Sequence, residues 1–191
     1  MKPPPLILAS GSPRRARLMK EMGLKFRVLP SDAPEADSEQ LTGRELAELN
    51  AYRKARAVAK DHPQAVVFGC DTVVYLETKP YGKPRDLKEA LIMLAELSGR
   101  THQVISGCCL MHMESHRCEI YSVTTDVRFR RLTDDQIFRY LKKINPLDKA
   151  GGYAVQEHGE MIVESVHGSF TNVVGLPVEE LADRLKAFGI G

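Results

Sequence analysis

Short apolar runs alternate along this chain with longer stretches whose apolar residues recur every three to four positions. A compact apolar run suits a buried strand, and the longer spacing suits a helix packed on one face. Strands alternating with helices are the pattern of an α/β fold. Residues 6–10 form the first apolar run, which stops at Gly11-Ser12-Pro13. Ser12 reads as a helix N-cap, and Pro13 falls where a first helical residue tolerates proline. Residues 14–22 then read as a helix closed by Gly23, and residues 25–30 as a second strand. Residues 31–38 are polar, contain Pro34 and read as a loop. The helix over 42–60 is well marked: Thr42 caps it, Glu45 stands three residues on, and Leu46, Leu49, Ala55, Val58 and Ala59 supply its apolar face.

Further on, residues 65–68 read as a central strand with Gly69-Cys70-Asp71-Thr72 at its end, and residues 73–76 continue as strand. A turn at 82–85 leads into a helix over 86–97, ended by Gly99. Residues 102–113 and 117–129 pair as long strands, with Glu114-Ser115-His116 turning between them. Thr133 caps a helix to about residue 143, and 146–156 is a glycine-rich loop carrying charges. Residues 161–166 and 171–174 read as short strands, and Pro177 opens a last helix. No internal repeat and no domain boundary is legible, so residues 1–191 are expected to form one domain.

Composition narrows the function. At 43% apolar and 27% charged, the chain has the balance of a folded globular domain. With 191 residues it buries enough surface to need no disulfide or structural metal. A net charge of +2 argues against a general nucleic-acid binder, while leaving room for a local basic pocket. Cys70, Cys108, Cys109 and Cys118 show no C-x-x-C spacing and read as reduced thiols of a cytoplasmic protein. No apolar run reaches the ~18 residues of a membrane span. Residues 1–5 are too short and proline-rich for a signal peptide. A cytoplasmic, membrane-free protein is the expectation.

Four segments carry chemistry. Ser10-Gly11-Ser12-Pro13-Arg14-Arg15 stands between a strand and a helix, where unpaired N–H groups and the helix dipole favour phosphate. Two hydroxyls and two guanidinium groups add donors and charge, although a capped helix with two solvated arginines has the same composition. Asp71 follows an apolar strand, where a carboxylate can bind a divalent metal or orient a water, or simply sit in a turn. Glu35 can supply a second carboxylate near such a metal. Lys83, in the Gly82-Lys83-Pro84 turn, is a phosphate partner or an exposed turn lysine, and Lys54 alone is part of a helix face. In 148–156, Gly151 and Gly152 allow close approach to a ligand or pack the loop. Asp148 and Lys149 can pair with each other or with substrate, and the Gln156 amide can read a base edge. His112 and His116 fall at a hairpin tip rather than on a helix and are not read as a metal pair. No G-x-x-x-x-G-K-[ST] run is present, which excludes a P-loop.

In order along the chain, Leu8-Ala9-Ser10-Gly11-Ser12-Pro13-Arg14-Arg15, Lys54-Ala55, Gly69-Cys70-Asp71-Thr72-Val73-Val74, Gly82-Lys83-Pro84, Leu97-Ser98-Gly99-Arg100-Thr101-His102, Asp148-Lys149-Ala150-Gly151-Gly152-Tyr153 and Asn172-Val173-Val174-Gly175-Leu176-Pro177 resemble the Maf family of nucleotide pyrophosphatases. The resemblance runs from residue 6 to about 185. It implies an α/β fold with a curved mixed sheet flanked by helices in two lobes around a central cleft, of the inosine-triphosphate-pyrophosphatase type. It also implies a homodimer and hydrolysis of a nucleoside triphosphate between its α and β phosphates. The implied cofactor is a divalent metal, Mg²⁺ foremost with Mn²⁺ or Co²⁺ as alternatives, held by Asp71 and Glu35. By the same resemblance Asp71 is the catalytic acid or base, with Lys83, Glu35 and Lys54 in the catalytic set. Ser10, Ser12, Arg14, Arg15, Thr72 and Gln156 are implied to bind substrate. Arg14, Thr72 and Gln156 match the branch acting on dTTP and UTP, where the 7-methyl-GTP branch carries tryptophan, glutamine and glutamate. Cys70 replaces the family's usual alanine, and Val166-His167-Gly168-Ser169-Phe170 departs from its commonest bacterial form. The rival expectation is a nucleotide-binding regulator of cell division without turnover.

Overall fold

The computed structural model describes residues 3–36 and 40–190. Two residues of the expected loop at 31–38 lie outside these, as do Met1 and Lys2 of the leading segment. The strands are β1 (Leu6–Leu8), β2 (Phe26–Val28), β3 (Val66–Leu76), β4 (Lys79–Tyr81), β5 (Thr101–His112), β6 (Arg117–Phe129) and β7 (Val163–His167). The helices are α1 (Pro13–Glu21), α2 (Gly43–Ala59), α3 (Leu87–Leu97), α4 (Asp134–Leu141), α5 (Phe170–Val174) and α6 (Val178–Ala187). The strands hydrogen-bond in the order β2-β1-β3-β5-β6-β7, with β4 beside β3. The sheet is mixed: β1 runs parallel to β2 and β3, whereas β3/β4 and β6/β7 are antiparallel. This is the expected α/β class with a mixed sheet.

The chain divides into two compact units, one of Met1–Asp71, Ser106–Val123 and Gly175–Gly191, the other of Thr72–Ile105 and Thr124–Val174. In the first unit β1 is buried along its whole length, as a parallel strand covered on both faces must be. Helix α2 begins at a full capping box, in which Thr42 Oγ1 accepts from the Glu45 N–H and Glu45 Oε2 accepts from the Thr42 N–H. It then lies against the sheet at backbone distance. A Cβ added to Gly69 would stand 2.3 Å from the Ala51 carbonyl oxygen, and one added to Gly107 would stand 2.2 Å from that of Ala47. Ala47, Ala51 and Ala55 line the approaching face, so small residues on both partners set the contact.

The second unit packs α3 and α4 over Val74, Leu76, Val127 and Phe129. His102 is buried here, its Nε2 2.8 Å from the Tyr153 hydroxyl and its ring edge-on to Phe129. Burial pushes its pKa down to about 4, so the ring is neutral at neutral pH. Gly151 and Gly152 adopt positive φ at the end of 146–152, after the short 3₁₀ turn at Pro146–Asp148. Added Cβ atoms there would meet Val74 and Ala90, so these glycines pack the loop onto β3 and α3.

Local structure departs from the sequence reading in three places. Gly69-Cys70-Asp71-Thr72 does not end a strand: β3 continues through it, and Gly69 serves the approach of α2. Residues 171–174 are helix, not strand, because Ser169 Oγ accepts from the Asn172 N–H and starts α5 despite β-branched neighbours. Strand β4 was not anticipated because its hairpin turns on Glu77, which takes a positive φ without a glycine to announce it.

Gly107→Ala should lower the free energy of unfolding by about 2–3 kcal/mol through forced displacement of α2. Urea denaturation measures it. Gly82→Ala, with nothing within 4 Å of an added Cβ, should change stability by no more than about 0.5 kcal/mol.

Candidate active site

The first unit gathers most of the expected residues in two neighbouring groups. The chain leaves β1 still paired with β3, the Ala9 N–H donating to the Phe68 carbonyl at 2.8 Å. Ser10, buried, follows at once. Its Oγ accepts from the Ser12 N–H at 3.3 Å and from Arg15 Nη1 at 2.9 Å. Ser12 Oγ caps α1 by accepting from the Arg15 N–H at 3.5 Å. Arg15 Nε donates to the Gly175 carbonyl at 2.9 Å. The turn therefore sets the N-terminus of α1 soon after β1, with Arg14, half-buried, in its first helical turn. Arg15 was expected on substrate; here its guanidinium also braces this turn to a residue 160 positions away.

The second group surrounds Asp71, which is 9% exposed in the interior of β3. Its Oδ1 accepts from Lys54 Nζ at 2.7 Å. The same Nζ reaches Glu35 Oε1 at 2.5 Å, so one ammonium bridges two carboxylates drawn from a strand and a loop. Asp71 Oδ2 accepts from Asn50 Nδ2 at 3.3 Å. Asn50 and Lys54 stand one helical turn apart on α2, and the close seating of that helix brings both onto β3. Lys54, read from sequence as a helix-face lysine unless the family resemblance applies, is central here. Asn50 was not anticipated at all; the available signal was a polar residue four positions from Leu46 on one side and Lys54 on the other, inside an apolar stripe.

Cys70 joins the two groups. Its Sγ lies 3.6 Å from the Gly175 carbonyl that Arg15 also holds, and it accepts from the Cys108 thiol at 3.9 Å. That hydrogen bond, helped by the Arg15 and Lys54 charges, lowers the Cys70 thiol to about 7 against its burial.

In the second unit, Lys83 is exposed in its turn and Thr72 is half-buried on β3. Gln156 Nε2 donates to Glu157 Oε1 at 3.3 Å. Lys149 is buried, its Nζ bonded to the Asn145 carbonyl and to Asp148 Oδ1, each at 2.9 Å, and paired with Glu157 at 3.4 Å. Asp148 and Lys149 pair with each other here.

A family model described as Maf-like protein matches residues 5–188. The chain belongs to the Maf family. Among its relatives, a protein of Desulforamulus reducens named dTTP/UTP pyrophosphatase is 44% identical over 186 residues, covering 97% of each chain. One of the same name from Akkermansia muciniphila is also 44% identical with the same coverage. A third, from Acetivibrio thermocellus, is 42% identical over 97% of this chain and 96% of its own. The structure of a HAM1 protein from Coxiella burnetii superposes with a TM-score of 0.52 over 95% of this Maf chain and 98% of that one, at 14% identity, which is a likeness of fold.

Arg15→Lys keeps the charge of this Maf turn but not the fork that serves Ser10 and Gly175 together. The variant should lose about 1–2 kcal/mol of stability in chemical denaturation.

Proposed function

We propose that the chain hydrolyses dTTP and UTP, adding water at the α-phosphate to release the nucleoside monophosphate and pyrophosphate. The observation that carries this is the Asp71–Lys54–Glu35 cluster joined through Cys70 and Gly175 to the Ser10–Arg15 turn, in a chain so similar to proteins named for that reaction. Modified pyrimidine triphosphates fall within the same proposal. One match runs through both units, so we take residues 1–191 as one functional domain. Carried over from the family, the protein is a cytoplasmic homodimer. Among the described residues no helix is long and apolar enough to cross a membrane.

A triphosphate is a dense anion that repels attacking water, and catalysis of its cleavage rests on offsetting charge and on positioning. The α1 N-terminus, with Ser10, Ser12, Arg14 and Arg15, receives phosphate oxygens. Lys83 is assigned to phosphate as well, and Thr72 and Gln156 to the pyrimidine edge. Asp71 takes the proton of the attacking water. Lys54 offsets the negative charge of Asp71 and Glu35, which would otherwise oppose an anionic substrate.

The donor set suits a divalent ion. Asp71 and Glu35 bring two carboxylates to one Nζ, and hard oxygen donors of this kind, completed by phosphate and water, are what Mg²⁺ takes. Mg²⁺, or Mn²⁺ or Co²⁺, held by Asp71 and Glu35 would supply Lewis-acid stabilisation of the phosphoryl oxygens.

A panel of nucleoside triphosphates with Mg²⁺, scored for pyrophosphate against orthophosphate, tests the reading. Pyrophosphate from dTTP and UTP is expected. Orthophosphate would place cleavage at another bond, and no product from either would favour a nucleotide-binding regulator. Asp71→Asn should reduce kcat by about 10²-fold or more with an unchanged circular dichroism spectrum.

A further inference from the structure

Asn50 is 3% exposed on a helix face otherwise made of Leu46, Ala47, Ala51 and Ala55. A buried amide is costly unless its donors and acceptor are met. Here Oδ1 accepts from the Ala36 N–H at 2.6 Å, and Nδ2 donates to the Ala36 carbonyl at 3.2 Å and to Asp71 Oδ2 at 3.3 Å. The two bonds to Ala36 grip both polar groups of a loop residue, much as a neighbouring strand would. Ala36 adjoins Glu35, so the grip sets where the Glu35 carboxylate stands. The third bond fixes the rotation of Asp71, holding Oδ2 on Asn50 and leaving Oδ1 for Lys54 one turn further along α2. One amide thus determines the position of both carboxylates that share the Lys54 ammonium. Packing alone does not call for it, since an apolar residue of similar size would fill the same place in the stripe.

We infer that Asn50 is a positioning residue for hydrolysis, keeping Asp71 and the Glu35-bearing loop in register around Lys54. This rests on the pyrophosphatase reading. Asn50 acts through Asp71, Glu35 and Lys54, while the phosphate-binding turn at Ser10–Arg15 makes no bond to it.

The test is steady-state kinetics on dTTP with Mg²⁺ for the wild type, Asn50→Ala, Lys54→Met and the double variant, with urea midpoints for each. Asn50→Ala should lower kcat by about 10–100-fold, as loss of an orienting partner does, while KM moves by less than about threefold. In the Lys54→Met background the same change should cost less than about threefold, because the geometry it maintains is already gone. Full multiplication of the two losses would mean general loosening and would overturn the inference. Asn50→Leu guards against poor folding: it refills the space, so the urea midpoint should return near the wild-type value while kcat stays low. Recovery of kcat in Asn50→Leu would also overturn it. No pyrophosphate from the wild type would sink the pyrophosphatase reading and this inference with it. Pyrophosphate from the wild type with equal kcat in the Asn50 variants would sink the inference alone.

Discussion

The contact between α2 and the sheet is the constraint on which the Asp71–Lys54–Glu35 cluster depends. Ordinary side chains keep a helix roughly 10 Å from a sheet, and two absent Cβ atoms remove that spacer here. With Gly69 and Gly107 facing Ala51 and Ala47, the helix backbone rests on the strand backbone. A short amide and a lysine ammonium then reach a carboxylate in the interior of β3. Seated even a side chain's width farther out, α2 would leave Asp71 buried without partners, a costly state for a carboxylate. The small residues and the charged cluster are therefore one device: the former make the distance, and the latter makes use of it.

Charge in the first unit is arranged in the same economical way. Lys54 serves two carboxylates, and Arg15 serves a hydroxyl and a carbonyl. Both cations hold structure, each joining segments that are distant in sequence. Groups held in this way are preorganised. Lys149 shows the contrast: its bonds go to a carbonyl and two nearby carboxylates, and it stabilises a loop.

Much of this was legible in the sequence. The alternation of apolar periods gave the fold class, Thr42 and Glu45 marked the start of α2, and Ser12-Pro13 marked the start of α1. Asp71 and the basic turn were visible as motifs. Less legible were features set by partners distant in sequence. Gly69 has turn-like composition, and only the presence of Ala51 against it explains a glycine inside a strand. Val173 and Val174 favour a strand, and the hydroxyl of Ser169 decides for a helix. The forked bonding of Arg15 depends on Gly175, and the role of Asn50 on Ala36 and Asp71; no local window contains both ends of either interaction.

The Arg15–Gly175 bond also orders events during synthesis. Ribosomes deliver the strand, the serines and the arginines well before the carbonyl that steadies them, which arrives 160 residues later. Until then the turn at Ser10–Arg15 lacks its anchor, and a nascent chain carries it without its final geometry. The turn is therefore completed by a tertiary contact, after the strands and helices between its two ends have been made.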